Sequence, residues 1–208
     1  MDTENKERED LLDQLVRFEY SLFSRVRNEG GRASCQDNFP TFEIMRRAQY
    51  SVWSTETIRS WLGDLTAADA SGRNLFAEKY AWMMSSTAPA GFKMLSHLLP
   101  PVSEEQKDLT EQIIAIHLPW AAECMVLHPR FRSGGRPLYT SEDTPCVTSQ
   151  ETYLRGELYT CSLSTLRLLL KDYGSALRTG RNLAAEVDDA MARACGYDSA
   201  DAYEKAAE

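Results

Sequence analysis

Apolar residues recur every three or four positions along most of the chain, which is the spacing of one face of an α-helix. The first such run covers residues 7–27, and the glycine pair Gly30-Gly31 follows after two further residues. Its apolar side chains are Leu11, Leu15, Phe18, Leu22 and Val26. No segment shows the alternation of apolar and polar side chains that is typical of a strand. The pattern therefore predicts an all-α fold.

Capping and helix-breaking residues divide the rest of the first hundred positions. Pro40 suits the first turn of a second helix, and Ser54 can cap a third. Ala70-Ser71-Gly72 ends the third helix, a fourth runs from about Leu75 to just before Pro89, and a short apolar piece covers 92–99. The connectors are short, which favours antiparallel neighbours.

The second hundred positions contain two capping-box patterns. Ser103 to Gln106 opens a long helix, and Thr148 to Glu151 opens another that is predicted to continue through Leu158 to Leu168. A last pair of helices is predicted at about 181–195 and 199–207, with Gly196 between them as a C-terminal cap.

We therefore predict a single domain, residues 1–208, folded as an orthogonal or antiparallel bundle of about eight helices with one long loop at about 128–148. A loop of this length inside a compact domain is commonly either functional or disordered. Its charged side chains fit both interpretations. They are Arg130, Arg132, Arg136, Glu142 and Asp143.

One short segment of the chain occurs twice. The residues 72–78, GRNLFAE, match 180–186, GRNLAAE. A single match does not establish a repeat, so chance or shared helix-start chemistry is favoured over an ancient duplication.

Composition limits the classes of function. The chain has 208 residues and a formal charge of −8, which argues against binding of a nucleic-acid backbone. Its five cysteines are an odd number at long spacings without a CxxC pair, so reduced thiols and a cytoplasmic location are expected. The polar, acidic N-terminal residues do not match a signal peptide, and no apolar run suffices for a membrane span.

The connector NEGGRASCQD, residues 28–37, carries more chemical variety than a turn needs. Two glycines allow a ligand to approach main-chain amides, and Cys35 lies near the start of the next helix, where the thiol pKa can be lowered. A capped turn with a buried thiol and an arginine–acid pair remains the alternative interpretation.

Two other helices carry ionisable groups with simple structural explanations. The segment Glu43-x-x-Arg46-Arg47 is interpreted as a solvated surface pair, because such pairs are frequent and weak. Glu78, in the fourth helix, is most simply explained as an exposed side chain.

The segment ETYLRGEL, residues 151–158, holds a glycine in a helix interior, which costs about 1 kcal/mol relative to alanine. Gly156 therefore indicates close approach of another backbone or a ligand. Arg155 could hold a carboxylate or phosphate bidentately, with Glu157 as an acid–base or ammonium partner.

No motif supports a metal or a cofactor. His117 and His128 are about 16 Å apart along a straight helix, and the chain has no HExxH. GxGxxG, Walker A and GxSxG patterns are also absent from the sequence.

Three blocks resemble a bacterial family of domains of unknown function, whose members carry similar NEGGRASCQDD, TFEIMR, EKYARMM and ETYLRGEL segments. The blocks are residues 28–50 (NEGGRASCQDNFPTFEIMRRAQY), 72–88 (GRNLFAEKYAWMMSSTA) and 134–160 (GGRPLYTSEDTPCVTSQETYLRGELYT). The resemblance implies no particular activity. Trp82 stands where family members usually show an arginine.

We hypothesise that these blocks meet in one cleft of a cofactor-independent enzyme acting on a small polar, amino-acid-like molecule. The alternatives are a non-catalytic helical binding or scaffold protein and an accessory subunit. The expected catalytic residues are Cys35, Asp37, Glu78 and Glu157. The expected substrate-binding residues are Glu29, Arg32, Arg136, Tyr153 and Arg155.

Overall fold

The structure is a computed structural model that describes residues 3–27 and 30–206. These ranges contain ten α-helices and no strand, which confirms the all-α class. The first five helices are α1 Thr3–Phe23, α2 Phe39–Ser51, α3 Thr55–Ala70, α4 Leu75–Thr87 and α5 Pro89–Leu95. The others are α6 Glu104–Leu127, α7 Gln150–Leu158, α8 Leu163–Arg178, α9 Leu183–Ala194 and α10 Ala200–Ala206. No helix within the described ranges is both long enough and apolar enough to cross a lipid bilayer.

The helix starts test the two predicted capping boxes. The first is confirmed, since Ser103 Oγ accepts from the Gln106 amide at 3.2 Å and Gln106 Oε1 accepts from the Ser103 amide at 3.0 Å. The second is wrong, because α7 is capped by Ser149 rather than by Thr148. Glu151 accepts instead from the amide of Thr140, at 2.8 Å.

The helix predicted to run from Gln150 through Leu168 is divided into α7 and α8. Ser162 caps α8, and Asp64 of α3 accepts hydrogen bonds from the Ser162 amide at 2.9 Å and from Thr165 Oγ1 at 2.6 Å. The break is therefore fixed by a carboxylate that lies almost a hundred positions away in the sequence, which helical periodicity alone does not reveal.

The short repeated segment belongs to a repeat of the whole architecture. Helices α1–α5 and α6–α10 follow the same order, and one constant sequence separation relates Ser54 to Ser162, Gly72 to Gly180 and Asn74 to Asn182. Both glycines have positive φ angles, and both asparagines cap the next helix. The match thus includes shared helix-start chemistry, as the sequence favoured, and the correspondence extends to the order of the helices in both halves.

The two five-helix units, called unit one (α1–α5) and unit two (α6–α10), exchange helix contacts. Helix α4 of unit one packs against α7, and α9 of unit two packs in the same way against α2. The central helices α3 and α8 pack against each other. Asp172 of α8 accepts from the Ser54 amide and Thr57 Oγ1 at the start of α3, as Asp64 does for α8.

The first helices of the two units correspond in a different register, because the connector after α6 is longer. Asn74 donates to the carbonyl of Leu22 in α1, and Asn182 donates to the carbonyl of Trp120 in α6. When α1 and α6 are aligned on Leu22 and Trp120, the inward positions 12, 15, 16 and 19 of α1 correspond to positions 110, 113, 114 and 117 of α6. Glu19 therefore corresponds to His117.

Candidate functional site

A cleft of about 440 Å³ opens beside the connector that follows α1. Its lining includes Gly30, Gly31, Arg32, Cys35, Tyr80 and Arg136. We call it the glycine cleft. It brings together the connector, α4 and the long loop, which are distant in sequence.

The connector is held in shape by side chains of its own. Arg32 donates to Asp37 at 2.7 Å and to the carbonyls of Ser24 and Gln36, and Gln36 donates to the carbonyls of Phe23 and Val26. The hydrogen bond from Arg32 lowers the pKa of Asp37. Arg32 is therefore engaged in holding the connector in its conformation.

Arg136 is positioned by the start of α7. The side chain of Gln150 donates to the Arg136 carbonyl at 3.1 Å, and the Gln150 amide donates to the carbonyl of Pro137 at 2.8 Å. The guanidinium lies 4.7 Å from the centre of the Tyr153 ring and donates one bond, from Nη1 to the Thr148 carbonyl. Among the described residues, nothing accepts a hydrogen bond from its Nε or Nη2.

Two tyrosines contribute neutral hydroxyl groups near this arginine. Burial raises the pKa of Tyr80 to about 12, and burial likewise raises the pKa of Tyr153 to about 12. Within the described part of the chain, neither hydroxyl forms a hydrogen bond. Both are therefore protonated at neutral pH, and Tyr80, which lines the cleft, can donate to a ligand there.

Four ionisable side chains form a buried charge cluster behind the cleft: Glu19, Arg46, Lys79 and Glu157. Arg46 Nη1 lies 2.8 Å from Glu157 Oε1, and Arg46 Nε lies 3.0 Å from Glu19 Oε2. Lys79 Nζ lies 3.1 Å from Glu157 Oε2. Glu19 also accepts hydrogen bonds from Tyr50 and Trp61.

Burial and pairing act against each other in this cluster. Burial opposes the ionisation of Glu157, but Arg46 and Lys79 outweigh it and lower the pKa of Glu157 to about 2. Burial lowers the pKa of Lys79 despite the nearby Glu157 carboxylate, and burial raises the pKa of Glu19. Glu157 is therefore held as an ionised partner of two cations.

Tyr153 joins the charge cluster to the glycine cleft. The Lys79 ammonium lies 3.5 Å from the centre of the Tyr153 ring, which also contacts Arg136. Cation–ring contacts of this kind contribute about 0.5–2 kcal/mol. Lys79 therefore holds the Tyr153 ring in place, and the ring in turn supports the guanidinium of Arg136.

The charge cluster occurs at only one of the two equivalent places in the fold: Glu19, Arg46 and Lys79 come from unit one, and Glu157 comes from α7 of unit two. In unit two, the positions that correspond to Arg46 and Lys79 are occupied by Leu154 and Val187. His117 stands in place of Glu19, and Gln49 is the counterpart of Glu157. The same helix packing is thus achieved without these ion pairs.

The structure brings some of the predicted site residues together. Arg32, Cys35 and Arg136 line the glycine cleft, and Asp37 lies beside it as the partner of Arg32. Tyr153 and Glu157 lie behind it. Glu29 falls outside the described residues.

Glu78 and Arg155 lie in other surroundings. Glu78 accepts from Arg73 and lines a second cleft on another side of α4. Arg155 pairs with Glu111 at 2.7 Å and with Glu151 at 2.9 Å. Gly156 matches its prediction, because an added Cβ would lie 2.9 Å from the carbonyl oxygen of Lys79.

Arg46 was wrongly predicted to be a solvated surface residue, since it is buried between two carboxylates. Arg47 does form the predicted pair with Glu43. The sequence carries a signal for the buried charges. Glu19 and Lys79 each interrupt the apolar face of their helix at helical spacing, and a charge at such a position requires a buried partner.

Comparison with known proteins places the chain in a family. Among the described residues, no group of three or more His, Cys, Asp or Glu side chains is arranged to hold a metal ion. No curated protein and no solved structure matches the chain. The family model described as "Protein of unknown function (DUF4125)" matches residues 9–205. The chain therefore belongs to the DUF4125 family.

Proposed function

We propose that the protein binds a small anionic molecule, such as an amino-acid-like carboxylate, in the glycine cleft. The observation that carries the proposal is the unused Nε–Nη2 edge of Arg136. This edge presents two parallel N–H groups, the geometry that holds a carboxylate or phosphate bidentately. The Tyr80 hydroxyl, from the lining of the same cleft, supplies a further neutral donor.

Binding is favoured over acid–base catalysis by the state of the carboxylates. Glu157 has a pKa of about 2 and is paired with two cations, so it is poorly matched to proton transfer near neutral pH. Asp37 has a lowered pKa and is engaged by Arg32. We therefore assign the carboxylates of Glu157 and Asp37 the role of fixed charges that shape the cleft.

A panel of carboxylates, amino acids and phosphate esters, screened by thermal shift and then by calorimetry, tests the proposal. A ligand of the folded state raises the melting temperature. We expect Arg136→Met to weaken binding about ten- to a hundredfold, because hydrogen bonds to a charged group contribute about 1.5–3 kcal/mol.

Arg130→Met is the matched control, because Arg130 lies in the same loop and donates to the carbonyl of Glu204 instead of lining the cleft. It should leave ligand affinity unchanged. Equal affinity in the Arg136→Met and wild-type proteins, or no binding across the panel, would contradict the proposal.

A cofactor-independent enzyme is the second candidate, supported by the exposed Cys35 thiol in the lining of the same cleft. A thiolate there could add to a carbonyl carbon of a ligand held by Arg136, with the electron pair of the carbonyl π bond passing to its oxygen. Cys146 and Cys195 are also exposed and serve as internal references.

Alkylation followed by mass spectrometry across pH tests this candidate. A nucleophilic Cys35 should react faster than the two reference thiols below pH 8 and should be protected by a bound anion. Equal rates at the three cysteines would remove Cys35 as a nucleophile while leaving the binding proposal intact.

A further inference from the structure

The second cleft lies on a different side of α4 from the glycine cleft and has a volume of about 280 Å³. Its lining includes Asp64, Arg73, Glu78, Trp82 and Tyr159. We call it the aromatic cleft. Clefts that hold drug-sized ligands have volumes of roughly 300–1,000 Å³, so this one suits a smaller molecule.

Two aromatic rings form one wall of this cleft. The centres of the Trp82 and Tyr159 rings are 5.4 Å apart, and the ring planes meet at 79°. The two rings meet edge to face, and both are partly exposed residues of the cleft lining, so each ring borders the interior of the cleft. The faces of aromatic rings carry partial negative charge and attract cations.

The charged groups of the lining add to this negative character. Asp64 and Glu78 outnumber the single cation, Arg73. Both Glu78 oxygens accept from Arg73, whereas Asp64 uses only Oδ2, for Ser162 and Thr165. Asp64 Oδ1 has no hydrogen-bond partner among the described residues. The cleft therefore retains a carboxylate oxygen for a ligand.

Unit two shows which of these features the fold itself requires. It contains the same ion pair, Arg181 with Glu186, but the Glu186 side chain is 37% exposed and that of Glu78 only 13%. Trp82 is replaced there by Ala190. The ion pair is thus part of the repeated architecture, whereas the aromatic corner that encloses it is particular to unit one.

We propose that the aromatic cleft is a second binding site and that its ligand is a small organic cation, such as a quaternary or primary ammonium group. The cation packs against Trp82 and Tyr159, and the Asp64 carboxylate balances its charge, since the Glu78 carboxylate is already paired with Arg73. This site is separate from the glycine cleft, where Arg136 is proposed to bind an anion.

Choline and its neutral isostere, 3,3-dimethyl-1-butanol, are the probes, compared by NMR titration of the tryptophan indole N–H signals in the intact protein. We expect saturable choline binding that is about tenfold tighter than binding of the alcohol, because only choline carries the charge. Trp82→Leu, which lacks the reporting indole and is therefore titrated by calorimetry, and Asp64→Asn should each weaken choline binding about tenfold.

Asp172→Asn is the matched control, since Asp172 has the same capping role in the other unit as Asp64 but lies outside the cleft. It should leave choline binding unchanged. Equal binding of choline and the alcohol, no saturable choline binding, or an equal loss in the Asp172→Asn protein would overturn the proposal. If Trp82→Leu fails to fold, the ligand pair and the two aspartate variants still decide the question.

Discussion

The two five-helix units carry the same capping devices and different interiors. Both use a serine cap, a positive-φ glycine and an asparagine cap at corresponding positions. Where unit one buries Arg46 and Lys79, unit two has Leu154 and Val187. Unit two folds in the same way without these ion pairs, so the fold does not require them, although burial of their charges costs free energy. Both clefts also lie in unit one or at its contacts with the other unit.

The largest expected effect comes from breaking the charge cluster. Lys79→Met should lower the free energy of unfolding by about 3–5 kcal/mol, because it removes a partner of the buried Glu157 and the cation beside Tyr153. Urea denaturation measures the loss.

The corresponding change in unit two, Val187→Met, should cost less than about 1.5 kcal/mol because no charge is unpaired. The double variant Lys79→Met with Glu157→Gln should recover part of the loss. Similar costs for the two single variants would show that the cluster does not distinguish the units energetically.

A smaller loss of stability is expected where α4 of unit one crosses α7 of unit two. Gly156→Ala in α7 should destabilise the fold by about 1–3 kcal/mol, because the new Cβ would lie 2.9 Å from the Lys79 carbonyl oxygen and 3.0 Å from Met83 Cγ. Its counterpart Ala48 already carries a Cβ, so Ala48→Gly should cost about 1 kcal/mol through helix propensity. A neutral or stabilising Gly156→Ala substitution would refute the close crossing of α4 and α7.

The pH dependence of stability should distinguish His117 from its counterpart's partner in the charge cluster, Glu157. Burial lowers the pKa of His117 from 6.5 to about 4, so the unfolded chain binds more protons between these values and stability falls as the pH falls through this range. The loss should be about 1–3 kcal/mol. The contribution of ionised Glu157 is lost only as the pH falls from about 4.5 to about 2.

Denaturation at pH 6.5 and pH 5 of the wild type and of a His117 variant therefore measures the His117 contribution, because the opposite contribution of Glu19, whose pKa is raised by burial, is common to both proteins. His117→Gln should flatten the change in unfolding free energy over this interval. An unchanged slope in the variant would show that His117 is not the titrating group.

The smallest loss of stability is expected at the turn glycines, and it should be the same in both units. Gly72 and Gly180 have φ angles of 76° and 68°, with nothing within 4 Å of an added Cβ. Alanine at either position should cost about 1 kcal/mol, through left-handed backbone strain alone. A difference beyond about 0.5 kcal/mol between the two variants would indicate that the turns are not equivalent.

Much of the local structure could be predicted from the sequence because its determinants are local. Ser54, Ser103 and Gly196 mark helix boundaries through contacts within one turn, and the structure has each of them as predicted. The division between α7 and α8 could not be predicted in the same way, since it depends on Asp64 in another helix.

The site shows the same division between local and distant causes. The unusual composition of the connector and the long loop identified Arg32, Cys35 and Arg136, which do line one cleft. The partners of Glu157 were missed because Arg46 and Lys79 come from α2 and α4, and only the exchange of helix contacts between the units brings them together. Glu19 was overlooked although it interrupts an apolar face.

The reciprocal caps of α3 and α8 have a consequence for folding. Each unit supplies the carboxylate that completes the start of the other's central helix, and each lends a helix to the other's interior. Neither unit therefore encloses a complete core by itself, and the chain resembles an intertwined dimer whose two subunits are joined covalently. Such a molecule should unfold in one cooperative step, and two separately expressed five-helix fragments should gain structure only when they are mixed.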